Sequence, residues 1–75
     1  MTMAELEVCL RWYTRRRPFR PFLMEFTSGV QAVIPHPETI VVERELYVLR
    51  HRDGGYTVFP AESVTRLLDL PVDSK

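Results

Sequence analysis

The stretch FLMEFTSG, at residues 22–29, decides the fold class of this chain. Phe22, Met24 and Phe26 recur at every second position, which is the period of a β-strand with one strongly buried face. Ser28 and Gly29 follow as a hairpin turn, because glycine adopts a positive φ without steric cost. The stretch therefore predicts a strand that leads into a hairpin, and it marks the change from helical to β periodicity along the chain.

The segment before this strand predicts a single helix from about Met3 to Arg16, within an N-terminal helical region at residues 1–17. Thr2 and Glu5 have the spacing of a capping box, in which each side chain accepts a hydrogen bond from a free backbone N–H. Pro18 ends the helix, because proline disfavours α geometry in the preceding residue. One apolar stripe has helical spacing, and its members are Leu6, Cys9, Leu10 and Tyr13.

Downstream, the pattern predicts five short strands at residues 21–70. The second strand begins at Val30, is interrupted by Pro35 and Pro37, and resumes over residues 39–43. Turn signals separate the later strands, which we expect at residues 46–50, 56–59 and 64–70, with a 3₁₀ turn at 60–63. An antiparallel meander of this length buries its edge strands best by curling into a small barrel. The sequence thus predicts one domain at residues 1–75: one helix, a small five-stranded antiparallel SH3-like barrel, and a frayed tail at 71–75.

The composition excludes several classes of protein. The chain has 75 residues, of which 45% are apolar and 27% charged, and its ten basic and ten acidic residues cancel. This composition is too apolar for a disordered chain, and the zero net charge gives no overall field that would attract nucleic acid or membrane. The one cysteine, Cys9, rules out an intramolecular disulfide and a multi-cysteine zinc site. We expect a cytoplasmic protein without a membrane-spanning segment, a cofactor or a bound metal.

The predicted order of elements resembles the Sm-like fold of the LSm and Hfq families. The alternating stretch that ends at Gly29 is similar to the first Sm motif, and residues 61–67 are similar to the second. The Lys-His pair with which Hfq-type proteins grip uridine-rich RNA is replaced here by Ala61 and Glu62, so those contacts do not carry over. In Sm-like rings the fourth strand of one subunit pairs with the fifth strand of its neighbour. The resemblance implies that residues 56–59 would pair with residues 64–70 of a second copy.

A closer resemblance is to a set of short uncharacterised bacterial proteins. These combine an N-terminal helix with an R-x-P-F-x-P-F pattern, a turn glycine and a His-Pro-Glu triplet. The corresponding residues here are Arg15 or Arg17 with residues 18–22, then Gly29, then residues 36–38. This resemblance implies the fold and assigns no activity.

The polar cluster that most suggests chemistry is formed by His36, Pro37 and Glu38. A histidine and a carboxylate on a rigid loop could form an acid–base pair or part of a metal site. The alternative, which we favour, is that the prolines bend the second strand and the cluster has no chemistry. Cys9 lies on the apolar stripe of the helix, and Ser63 has neither a nearby base nor a nucleophile-elbow motif. The sequence therefore predicts that the chain is not an enzyme.

Two hypotheses about function remain. The first, which we favour, is assembly, as a homo-oligomer or with an unknown protein partner, through apolar contact residues: Val8, Trp12, Tyr56, Val58 and Leu67. The second is a ring that binds RNA phosphates through the arginines around the end of the helix: Arg11, Arg15, Arg16, Arg17 and Arg20. The same arginines could instead complement the dipole at the helix C-terminus and cover apolar surface with their stems.

Overall fold

A computed structural model describes residues 1–71 of the chain. Its elements are one α-helix, six β-strands and two one-turn 3₁₀ helices. In chain order they are α1 (Met3–Thr14), β1 (Phe22–Phe26), β2 (Gln31–Ile34), η1 (Pro37–Thr39), β3 (Ile40–Glu43), β4 (Leu46–Arg50), β5 (Tyr56–Pro60), η2 (Ala61–Ser63) and β6 (Val64–Asp69). The predicted frayed tail lies, apart from Pro71, outside the described residues.

The strands form two separate three-stranded antiparallel sheets. In the first sheet the order is β2-β1-β6, and Phe22 lies opposite both Ile34 and Asp69. In the second sheet the order is β3-β4-β5, and Val48 lies opposite both Val41 and Val58. Within residues 1–71 each sheet therefore has one fully paired central strand and two edge strands.

The predicted five-stranded barrel is wrong, because the second predicted strand is two strands in different sheets. Pro35 and Pro37 have no N–H to donate, so the ladder with β1 stops at Ile34. Residues 37–39 then turn as η1, which is closed by the Thr39 N–H donating to the His36 carbonyl at 3.2 Å. The chain leaves this turn in a new direction, and β3 starts a second ladder with β4. The coarser prediction, a mainly β chain with an N-terminal helix, is confirmed.

Helix α1 begins with the predicted capping box. The Glu5 N–H donates to the Thr2 hydroxyl at 3.1 Å, and the Thr2 N–H donates to the Glu5 carboxylate at 2.9 Å. Leu6 is the one fully buried residue of this helix. The Tyr13 hydroxyl donates to the Leu67 carbonyl at 3.4 Å. These contacts fix the helix against β6.

The core lies between the inner faces of the two sheets and the helix. Phe59 stands at its centre, with its ring against Phe26 at 5.0 Å and stacked on Tyr47 at 5.9 Å. Burial, reinforced by the Glu7 carboxylate, raises the pKa of Tyr47 above its ordinary value. The buried apolar residues are Leu6, Phe22, Leu23, Met24, Ile34, Tyr47, Leu49, Phe59, Ala61, Val64 and Leu67.

Candidate functional site

The most unusual surface is the outer face of the second sheet, by which we mean the side of β3-β4-β5 that points away from the core. Side chains alternate along β4, so that Tyr47 and Leu49 are buried while Leu46, Val48 and Arg50 point outward. The strand register then places outward residues in three rows that cross the sheet. These rows are Glu43-Leu46-Pro60, Val41-Val48-Val58 and Arg50-Tyr56.

The middle row, which we call the valine row, makes this face apolar. Val58 is 57% exposed and Val41 45% exposed, although each lies directly beside Val48 in the sheet. Leu46 and Tyr56 add exposed apolar area on either side of the row. An antiparallel sheet that has water on one side normally carries polar residues there. The valine row is therefore a surface suited to being covered.

Acidic side chains border one end of this face. Glu43 and Glu45 flank the β3–β4 turn, and together with Glu62 of η2 they line a groove of about 780 Å³. Apolar residues, among them Val48, Val58 and Met3 of α1, line the same groove. Arg44 lies in the same turn, with a φ of 58°. The groove thus combines an apolar lining with a net negative border.

Basic side chains border the opposite end. Arg50 ends β4, and His51 and Arg52 follow it into the β4–β5 turn, together with Asp53. Three ion pairs occur within residues 1–71: Arg11–Glu7, Arg16–Asp69 and Arg66–Glu25. None of them involves a charge at either end of the outer face, so those charges are available to a partner.

The predicted interface residues occupy three places. Tyr56 and Val58 lie on the outer face of the second sheet, as described above. Val8 and Trp12 are exposed on the outer side of α1, where they line a shallow groove of about 450 Å³ with Arg11, Arg15 and Arg16. Leu67 is buried in the core. The helix groove shares no residue with the groove on the sheet, so the structure does not bring the two apolar patches together.

The five predicted phosphate-contacting arginines differ in whether their side chains already have partners within the molecule. Arg16 is held within the molecule: its side chain is 11% exposed, its guanidinium lies 4.7 Å from the centre of the Tyr13 ring, and it pairs with Asp69 at 2.6 Å. It also donates to the Arg20 carbonyl at 3.1 Å. Arg11 pairs with Glu7 at 3.2 Å on the helix surface. The remaining three, Arg15, Arg17 and Arg20, are exposed.

These contacts predict a structural role for Arg16. We expect Arg16→Ala to lower the free energy of unfolding by about 1–2 kcal/mol, because it removes a largely buried guanidinium from its contact with an aromatic ring and from an ion pair with the half-exposed Asp69. Arg15→Ala, which removes an exposed arginine from the same helix end, should change it by less than about 0.5 kcal/mol. Urea unfolding followed by circular dichroism measures both. Equal stability of the two variants would contradict this role.

The loop cluster of His36, Pro37 and Glu38 forms the η1 turn and its cap. The expected bend within one continuous strand is wrong, because β2 and β3 belong to different sheets. The structure also places His36 near His51, a pairing that the sequence does not predict. Both residues line a depression of about 450 Å³ with Arg50 and Arg52. The His51 ring is hydrogen-bonded to the Thr57 hydroxyl, with His51 Nε2 and Thr57 Oγ1 2.6 Å apart.

This depression continues into an apolar cleft of about 680 Å³ between the two sheets. The aromatic residues Phe26 and Phe59 line it, together with Val30 and Val33 of the first hairpin. Arg50, His51 and Arg52 belong to both lining sets. The cleft exists because η1 sends β2 and β3 into different sheets, and its chemistry is an apolar wall with a basic mouth.

Within residues 1–71, no group of three or more His, Cys, Asp or Glu side chains is arranged to hold a metal ion. The one described helix, α1, lacks the length and apolar character needed to cross a membrane. No protein-family model, curated protein or solved structure matches this chain significantly.

Proposed function

We propose that this chain is a small assembly domain whose contact surface is the outer face of the second sheet. The observation that carries the proposal is the valine row, three valines side by side across three strands, of which Val41 and Val58 are exposed and Val48 between them is half-buried. Burying apolar surface stabilises a contact by roughly 25 cal/mol per Å². Binding of a partner that covers this row is therefore favourable, because it removes exposed hydrocarbon from water.

The size of the face sets the strength expected of such a contact. Strands lie about 4.8 Å apart and rise about 3.3 Å per residue, so three strands of four or five residues present a face of roughly 14 by 17 Å. Stable interfaces bury about 800 Å² on each partner. The outer face alone is smaller than this. We expect a reversible assembly with a dissociation constant in the micromolar range or weaker.

Sedimentation equilibrium over micromolar to millimolar protein concentrations tests the proposal. The wild-type mass should rise with concentration, and Val58→Lys should weaken association about 100-fold, because it places a charge in the middle of the contact. Val33→Lys is the matched control. Val33 is also a strand valine, 50% exposed, but it lies on β2 in the first sheet.

The control should associate as the wild type does. A wild-type chain that stays monomeric at millimolar concentration would contradict the proposal. Equal losses in the Val58 and Val33 variants would locate the contact elsewhere.

RNA binding at the arginine-rich helix end stays a weaker proposal. It draws support from the exposed Arg15, Arg17 and Arg20, whereas Arg16 already has acidic and aromatic partners within the molecule. Excess absorbance at 260 nm in protein purified at low salt, with affinity that falls steeply as salt rises, would support it. Arg15→Glu combined with Arg17→Glu should then abolish RNA binding and leave sedimentation unchanged.

A further inference from the structure

We infer that the partner on the outer face is a second copy of this chain, packed face to face with its strands running in the opposite direction. Glu43 of one copy then meets Arg50 of the other, and the contact occurs twice. This inference rests on the proposed function and adds to it the identity and orientation of the partner. It is carried by the distribution of charge on the face.

The outer face is electrically polar along its strands. Glu43 and Glu45 lie at one end with Glu62, and Arg44 reduces their sum to a net of −2. At the other end the cations Arg50 and Arg52 lie with the carboxylates of Asp53 and of Glu38, which precedes β3 in η1, so the four charges sum to zero with the histidine neutral. The valine row lies midway between the two ends. A partner that matches the face must therefore be apolar in the middle, basic opposite Glu43 and acidic opposite Arg50.

A second copy of the same face, with its strand direction reversed, has this distribution of apolar, basic and acidic residues. Most soluble assemblies of identical chains have two-fold symmetry, which brings one patch against itself. Two such orientations place the outer faces together. If the axis runs across the strands, the strand direction reverses: the valine rows meet and the acidic end of each copy covers the basic end of the other. If the axis runs along the strands, Arg50 lies over Arg50 of the second copy.

Coulomb repulsion disfavours the second orientation and attraction favours the first, since like charges placed opposite one another oppose association. The reversed orientation also satisfies the geometry of packed sheets. Facing sheets lie about 10 Å apart with their strands within about 30° of each other, a gap that an arginine side chain can cross. Arg50 would then pass over Leu46 of the second copy to reach Glu43, which lies directly beside Leu46 in the sheet.

Two other surfaces are candidates for the contact between copies, but the outer face is more complementary to itself than either of them. The helix groove around Trp12 is lined by three arginines, of which Arg11 and Arg16 already have carboxylate partners within the molecule. The cleft between the sheets has a basic mouth without an acidic counterpart at its own border. Within residues 1–71 the outer face has unpaired charges of both signs on either side of an apolar centre, although Arg50 and Arg52 also line the mouth of the cleft.

Charge reversal tests the orientation with two variants, Glu43→Arg and Arg50→Glu. Each residue is exposed at a strand end, so folding should be preserved, which circular dichroism checks. In the reversed orientation each variant alone faces two like-charge contacts per dimer. We expect each to dimerise at least about tenfold more weakly than the wild type.

Mixing the two variants gives the decisive result. An equimolar mixture restores both opposite-charge contacts, so the heterodimer should form with an affinity within about threefold of the wild type. Native mass spectrometry resolves the heterodimer by mass, and sedimentation gives its affinity. Arg17→Glu, whose site lies off the outer face, is the control and should neither weaken dimers nor gain from mixing with Glu43→Arg.

The outcomes separate this inference from the proposed function. A wild-type chain that never dimerises overturns both. Dimers that are lost in Val58→Lys but show no gain when the two charge variants are mixed overturn the orientation alone. If Arg50→Glu instead associates best with the wild type and Glu43→Arg has no effect, the strands run in the same direction and the inference is wrong.

Discussion

Phe22→Ala is expected to unfold a large fraction of the molecules at room temperature. Phe22 is fully buried at the start of β1, the central strand of the first sheet, with its ring 4.9 Å from Tyr13 and 6.2 Å from Phe19. Truncating a buried phenylalanine costs about 3–5 kcal/mol. A domain of this size has a total stability of roughly 4–11 kcal/mol. The substitution therefore removes much or all of the free energy that keeps the chain folded.

Urea unfolding followed by circular dichroism measures this loss. Val33→Ala serves as the control, because Val33 lies one residue from the strand partner of Phe22 but is half exposed. That variant should lose less than about 1 kcal/mol. A Phe22→Ala chain as stable as the control would show that the first sheet does not depend on the contact between Phe22 and the aromatic rings around it.

Leu6→Ala is expected to cost about 2–5 kcal/mol and to release the helix from the sheets. Leu6 is the fully buried residue of α1, and a helix of 12 residues is marginal in water without such packing. The loss should therefore appear both in the free energy of unfolding and as a smaller helical signal in the native state.

Val8→Ala is the matched control for this prediction. Val8 lies two positions further along the same helix but is 59% exposed, so we expect a change below about 0.5 kcal/mol. Backbone amide exchange separates the two possible modes of failure. Rapid exchange confined to α1 in Leu6→Ala would mean local detachment, and faster exchange in every strand would mean global destabilisation. Protection equal to that of the wild type throughout would contradict the prediction.

Local signals in the sequence were enough to predict most of the elements. The alternation around Phe22, Met24 and Phe26 gives the existence of β1, and the capping box gives the start of α1. The turn at Asp53–Gly55 likewise separates β4 from β5. The pairing around Pro35 and Pro37 could not be predicted. Two prolines show that a ladder is interrupted, but whether the chain bends within one sheet or enters another depends on contacts between distant segments.

The candidate site was less predictable than the fold for the same reason. The sequence shows that Leu46 and Val48 alternate with Tyr47 and Leu49, but alternation alone does not say which set is buried. The valine row appears only once the register places Val41 and Val58 on either side of Val48. Arg16 is a comparable case, because its partner Asp69 lies at the far end of the chain and no local pattern connects them.

The division into two sheets also orders the events of folding. The second sheet is a meander whose strands are joined by short turns, so each of its pairings closes a small loop. The first sheet is different, since β6 must return to β1 after most of the chain has intervened. Closing a long loop costs more conformational entropy before any contact is gained, and chains rich in such contacts fold more slowly. We therefore expect β6 to dock onto β1 late in folding, after the second sheet with its valine row has formed.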